Sequence, residues 1–385
     1  MEKGAFSPEK FKNIATPFYY YDVELLSKTL KAVKEEISKY GFSQHYAVKA
    51  NANQNILKQI ATAGFGADCV SGNEIKAAAN AGFPTSKIVF AGVGKTDKEI
   101  NLALDYNIFC FNVESLPELE VINSLAEKKG KVASVALRIN PNVDAHTHEY
   151  ITTGLNENKF GFSLTSLEHV IYAIKSMSHI QLIGIHFHIG SQITEVGTFL
   201  PLCEKVNELQ DLFESKGVTL QHVNVGGGLG IDYDDPNNNP VADFKSYFEL
   251  FHKHLQLRKG QHLHFELGRA IVAQCGSLIT RVVYVKEGDS KKFVIVDGGM
   301  TDLIRPALYQ AYHKIENISS NLPAEKYDIV GPICESSDVF AKDYEINKTT
   351  RGDLLALRSA GAYGEVMASQ YNCRELPKAY FSDSL

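Results

Sequence analysis

The stretch HYAVKANANQNILKQIATAGFGADCVSGNEIKAAANAGFPTSKIVFAG, residues 45–92, carries the pattern that decides the fold. Three short apolar runs suited to strands, HYAVK from His45, ADCV from Ala67 and KIVFA from Lys87, alternate with segments such as NQNILKQIATAG. Those segments place apolar residues at helical spacing and close on glycine, as helices often do. The alternation continues with IFCF from Ile108, SVALRI from Ser134, LIGIHF from Leu182, HVNV from His222 and HLHFE from His262, with helix-like stretches such as SLEHVIYAIKSM between. Eight alternations over about 230 residues predict an α/β fold, a (β/α)8 TIM barrel. A doubly wound sheet is the competing reading and usually has fewer strands.

After Gly268 the pattern changes. The runs SLITRVVYV, KFVIVDGG, YDIVGP and DLLALRS follow with little helix between them, which predicts a mainly antiparallel β domain. The aromatic opening TPFYYYD reads as a strand of that same sheet. The expected division is a barrel over 26–265, with 1–25 and 266–385 forming a β-sandwich or β-barrel domain.

Composition excludes several classes. With 385 residues, 44% hydrophobic and 22% charged, the chain is long enough for two domains and ordinary for a globular protein. A net charge of −6 gives no support for a nucleic-acid partner, which would normally need a basic face. No apolar run reaches the roughly 18 residues that span a bilayer, and MEKGAFSPEKFKNIATPF has no apolar signal core. Six scattered cysteines without a CxxC pair read as reduced thiols, which points to the cytoplasm.

Reacting groups of barrel enzymes gather at the C-terminal strand ends. Lys49 closes the first strand among apolar Ala47, Val48 and Ala50, where partial burial helps an amine lose its proton; a solvated lysine is the plain alternative. His186 and His188, in HFHIGSQ, share a face if the strand continues through them. They could form a metal pair, but no other strand end adds a histidine ligand, so a flat imidazole packed on a flat ring is the better use of His188. VGGGLG, Val225–Gly230, lets the backbone approach an anion and does not fit GxGxxG, because Ile231 replaces the third glycine. FELGRA places Glu266 near Arg269, either as a local ion pair or as a carboxylate for a heterocyclic nitrogen beside an anion-binding arginine. Together these strand ends describe a pocket for pyridoxal 5′-phosphate.

With these residues in place, the chain resembles the alanine-racemase-type (fold type III) pyridoxal-phosphate decarboxylases along nearly its whole length. The motifs, in order, are YAVKAN, GADCVSGNE, NKFGF, HFHIGSQ, VGGGLG, ELGRA, DGGMTDLIRPALYQAYH, GPICESSD and GAYGEVMAS. THEYITTGLNENKFGF, DLIRPALY and CESSD match the diaminopimelate branch. The resemblance implies that Lys49 forms the internal aldimine, His188 stacks on the cofactor ring and Glu266 pairs with its nitrogen. It also implies cofactor contacts from Asp68, Ser191, Gly226, Gly227, Gly228, Gly268, Arg269 and Tyr363. Arg269, Arg305, Tyr309, Glu335 and Tyr363 would recognise substrate, and Cys334 would deliver a proton to the reacting carbon. Members are homodimers in which Cys334 and Glu335 enter the neighbouring subunit's site. The implied reaction converts meso-2,6-diaminopimelate to L-lysine and carbon dioxide, the last step of lysine biosynthesis. Two arginines with one carboxylate suit a distal group bearing both charges, whereas ornithine or lysine would need no cation there. Related decarboxylases, a racemase, a silent cofactor-binding protein and a metal-dependent hydrolase are the rival readings.

Overall fold

The computed structural model describes residues 6–143 and 159–385. His146, His148 and most of THEYITTGLNENKFGF lie outside the described residues.

Strands are numbered from the N-terminus, beginning with β1 (Phe18–Tyr21). Eight more follow: β2 (Ser43–Ala47), β3 (Gly66–Cys69), β4 (Ile88–Phe90), β5 (Cys110–Val113), β6 (Ala133–Arg138), β7 (Ile180–His186), β8 (His222–Asn224) and β9 (His262–Phe265). Each pairs in parallel with the next, β9 returns to β2, and among the described residues these eight close a barrel. They correspond to the eight apolar runs of the sequence. Strand residues are buried almost throughout, as a sheet covered by helices requires. The connecting helices are well signalled locally. Ser71, Thr96 and Ser115 accept hydrogen bonds from the backbone N–H of Glu74, Glu99 and Glu118, each capping a helix start. The helix Gln54–Thr62 buries Ile56, Leu57 and Ile60, the one-sided spacing of an amphipathic helix.

Contacts divide the chain into two compact units. The barrel unit comprises Leu30–Gly230 and Asp243–Gly268. The second comprises the chain through Thr29, the segment Ile231–Ala242 and everything from Arg269 onward. The strand–helix alternation gives no sign that Ile231–Ala242 leaves the barrel.

In the second unit lie β10 (Gly276–Glu287), β11 (Lys292–Val296), β12 (Ile315–Asn317), β13 (Ala324–Val330), β14 (Val339–Asn347), β15 (Leu354–Leu357) and β16 (Lys378–Phe381). The main path runs β12-β15-β10-β11-β13-β14, mostly antiparallel, with β11 and β13 parallel. β1 pairs antiparallel with β10 and parallel with β16, so the aromatic N-terminal strand does join the C-terminal sheet. No helix among the described residues is long and apolar enough to cross a membrane.

The barrel core carries a chain of three imidazoles. His45 Nδ1 lies 3.0 Å from the Lys87 carbonyl, His45 Nε2 2.9 Å from His264 Nδ1, and His264 Nε2 2.9 Å from His222 Nδ1. A carbonyl only accepts, so His45 Nδ1 is the donor, and neutral rings must then all carry hydrogen on Nδ1. Burial, then the neighbouring histidines, pushes His264 well below the ordinary histidine range; burial likewise lowers His45 and takes His222 to about 4. A histidine whose folded pKa is depressed stabilises the fold above its unfolded pKa, near 6.5, and loses that contribution as pH falls through the window toward 4. The urea midpoint is therefore expected to drop between about pH 6.5 and pH 5, before most carboxylates titrate. In His222→Gln that drop should be shallower, as measured by fluorescence-monitored unfolding at each pH; a parallel pH profile in the two proteins would remove the chain as its source.

Candidate active site

Lys49 stands just past β2, in the 310 turn Val48–Ala50. Val48 and Ala50 are fully buried and anchor the turn, while the lysine side chain is 40% exposed. Its Nζ lies 3.6 Å from Oδ2 of Asp68, whose side chain is 1% exposed. The β2–β3 register sets Ala47 opposite Asp68, which brings the two together. Among the described residues neither Asp68 carboxylate oxygen has a hydrogen-bond partner. Burial, reinforced by Glu266 and opposed by Lys49, pushes this carboxyl up to about 7.

Glu266 follows β9 and is buried. Its Oε1 accepts from Asn112 Nδ2 at 3.0 Å and Asn224 Nδ2 at 2.7 Å, and its Oε2 meets His186 Nε2 at 2.8 Å. Burial alone would raise this carboxyl, but the charge and hydrogen bond of His186, with Lys49 and His45, outweigh it and hold it well below the usual range. An ionised carboxylate only accepts, so His186 Nε2 carries hydrogen. A fixed, ionised carboxylate at this depth suits a protonated ring nitrogen. Asn112 is itself held, its carbonyl accepting from Lys95 Nζ at 2.8 Å.

The sequence places His186 and His188 on one strand face, but β7 ends at His186 and His188 lies beyond it. The Gly227 N–H donates to His188 Nδ1 at 3.3 Å, leaving hydrogen on Nε2. Burial, then the Lys49 and Arg138 charges, holds this imidazole well below its ordinary pKa. A neutral flat ring is what stacking on a pyridine needs. Among the described residues no group of three or more His, Cys, Asp or Glu side chains could hold a metal ion.

The glycine turn is constrained more by space than by free donors. A Cβ on Gly226 (φ 71°) would stand 2.2 Å from the Phe187 carbonyl oxygen, and one on Gly227 would stand 2.3 Å from that of Glu266. The Gly226 and Gly227 N–H groups are already engaged by Asn224 Oδ1 and His188 Nδ1. The turn thus supplies close approach and ties His188 to Asn224, rather than offering three free amides. Ser191 lies partly exposed after β7.

The second unit holds its own cluster. Arg269 Nη1 donates to the Tyr233 hydroxyl at 2.7 Å and Arg305 Nη1 to the same oxygen at 2.9 Å. Arg269 also sits 5.0 Å from the ring centre of Tyr363, whose φ of 55° is left-handed. Tyr309 ends the helix Arg305–Tyr309. Cys334 and Glu335 are exposed on the single chain, where Glu335 accepts from the Tyr371 hydroxyl at 2.7 Å.

Sequence reasoning passed over Tyr233, Asn112, Asn224 and the buried Arg138–Glu114 ion pair, whose Nη1–Oε1 distance is 2.8 Å. The signal for the asparagines is a polar residue inside an apolar strand run, CFNV and HVN, since a buried amide must find partners.

Three comparisons with known proteins show what the chain is similar to. A family model described as "Pyridoxal-dependent decarboxylase, pyridoxal binding domain" matches residues 23–273. A diaminopimelate decarboxylase of Bacteroides thetaiotaomicron is 64% identical over 384 residues, covering 100% of both chains. One from Neisseria meningitidis serogroup B is 42% identical over 95% of this chain and 88% of its own. The crystal structure of diaminopimelate decarboxylase from Helicobacter pylori complexed with L-lysine superposes with a TM-score of 0.91 at 40% identity, covering 97% of this chain and 93% of that one.

Gly227→Ala tests the cramped turn. Its Cβ forces the Glu266 backbone to move, which should cost about 1–3 kcal/mol of stability. Affinity of the apoprotein for pyridoxal 5′-phosphate, followed by fluorescence quenching, should fall about tenfold or more. Unchanged affinity would show that the turn tolerates a side chain.

Proposed function

The chain belongs to the diaminopimelate decarboxylase family of pyridoxal-dependent decarboxylases, and from that premise we propose that it converts meso-2,6-diaminopimelate to L-lysine and carbon dioxide. The observation that carries the substrate assignment is the buried arginine pair on Tyr233, in which Arg305 Nε has no hydrogen-bond partner among the described residues. A buried guanidinium left short of partners is costly, so a ligand lacking a second carboxylate is disfavoured there.

The cofactor is pyridoxal 5′-phosphate, which when bound supplies the sink for the electron pair released with the departing carboxylate. The barrel residues fit it: a primary amine, a neutral imidazole, an ionised carboxylate and a turn that admits no side chain. In this proposal Lys49 is the covalent attachment point and His188 packs on the ring face. Glu266 keeps negative charge against the ring nitrogen, held in place by Asn112, Asn224 and His186. Asp68, whose carboxylate oxygens lack hydrogen-bond partners among the described residues, faces the Lys49 amine. Ser191, Gly226, Gly227, Gly228, Gly268, Arg269 and Tyr363 are proposed to contact the cofactor, and Arg269, Arg305, Tyr309, Glu335 and Tyr363 the substrate.

Cys334 is proposed to deliver the proton that replaces the lost carboxylate. Its exposure, with that of Glu335, supports a homodimer in which a neighbouring copy provides both. All six cysteines are unpaired, which supports a reducing compartment such as the cytoplasm.

Lys49→Ala should lose the near-ultraviolet or visible absorbance of lysine-linked cofactor; a retained band would take Lys49 out of this role. Arg305→Ala should lose turnover of meso-diaminopimelate by at least about 10²-fold while the cofactor band persists. Normal carbon dioxide release by that variant would overturn the substrate assignment.

A further inference from the structure

The oxygen of one phenol lies between the nitrogens of two buried guanidiniums. Arg269 and Arg305 are both less than a tenth exposed. Their Nη1 atoms reach the Tyr233 hydroxyl at 2.7 and 2.9 Å, so these nitrogens are no further apart than those two distances added together. Like charges that close repel, and each gains from an acceptor placed between them. We propose that Tyr233 is a positioning and specificity-determining residue, whose phenol oxygen holds the Arg269 and Arg305 guanidiniums side by side for the anionic groups of the ligand. The role deepens the substrate reading above and rests on it.

Three further features support this placement. The Arg305 guanidinium also lies 5.3 Å from the Tyr233 ring centre, so the tyrosine contacts it through both oxygen and π face. The segment carrying Tyr233 is tied down. Asp232 Oδ1 accepts from the N–H groups of Asp234 and Asp235 at 2.9 Å, its Oδ2 accepts from Asn239 at 2.7 Å, and Arg358 donates to Asn237 at 2.8 Å. His313 packs edge-on to the Tyr233 ring at 5.3 Å and remains uncharged. Its Nδ1 is 2.8 Å from the Arg358 carbonyl, and burial, then Arg305, lowers it to about 3.

The ionisable groups around the phenol are therefore Arg269, Arg305 and His313, with Tyr363 and Tyr309 around Arg269. Asp232, next in sequence, spends its carboxylate within its own loop. Burial would raise the phenol, but the two guanidiniums outweigh it and bring its pKa below the ordinary tyrosine value. In the ligand-free site the phenol oxygen thus gives both guanidiniums an acceptor before any anion binds.

Tyr233→Phe in the holoenzyme removes the shared acceptor and keeps the ring. With meso-diaminopimelate, KM should rise about 10-fold to 100-fold while kcat stays within about threefold, the pattern for interactions formed equally in ground and transition states. Alkaline difference absorbance of tyrosinate should resolve, among the 18 tyrosines, one component ionising below the ordinary range, and the substitution should abolish it. A KM within twofold of wild type in a folded variant, or an early component that survives the substitution, overturns the proposal. Absence of any early component in the wild-type protein overturns it without needing the variant to fold. If the wild-type protein released no carbon dioxide from meso-diaminopimelate, the substrate reading would fail instead, and the titration would still decide whether the two arginines act on Tyr233.

Discussion

Keeping a carboxylate ionised away from water costs several kcal/mol unless hydrogen bonds replace its hydration, and Glu266 is held under that constraint. Three side chains from three different strand ends, Asn112, His186 and Asn224, converge on its two oxygens. The two asparagines are then fixed in turn. Lys95 holds the Asn112 backbone, and Asn224 accepts from Gly226. Gly227 donates to His188, so the glycine turn, the His188 imidazole and the carboxylate form one connected network. Shifting any member leaves a buried polar group unpaired, which ties the geometry of the site to the closure of the barrel.

The same constraint separates two acids. Glu266 is surrounded by donors and stays ionised, whereas Asp68, buried and without a hydrogen-bond partner among the described residues, is pushed up to about 7. Two buried carboxyls of the barrel thereby have their pKa values pushed in opposite directions, a difference set by environment and not by residue type. In the second unit the logic is inverted. There two cations share a neutral acceptor, a poor resting arrangement and a good receptacle for anions.

Much of this was legible in the chain. All eight barrel strands show as apolar runs, because a strand covered on both faces must be apolar along its length. Lys49, His188 and Glu266 stand out because chemistry-bearing residues at strand ends break that rule. The rest was hidden for definite reasons. Ile231–Ala242 has no periodicity of its own, so nothing local reveals which unit it joins. The strand end at His186 is set by pairing, not by local propensity, and so the two histidines seemed to share a face. The glycine run looked open to an anion until Asn224 and His188 proved to occupy the amides of Gly226 and Gly227.

The sequence by itself determined the fold class, the order of the strands and the residues capable of the chemistry, since these follow from hydrophobic period, helix caps and residue type. Only the tertiary structure decided which donors meet Glu266, which carboxyl stays charged, and that a tyrosine unmarked by any motif bridges Arg269 and Arg305. Hydrogen-bond partners and electrostatic fields depend on distances between residues far apart in the chain. Barrel closure sets those distances around Glu266, and the packing of the second unit sets those around Tyr233.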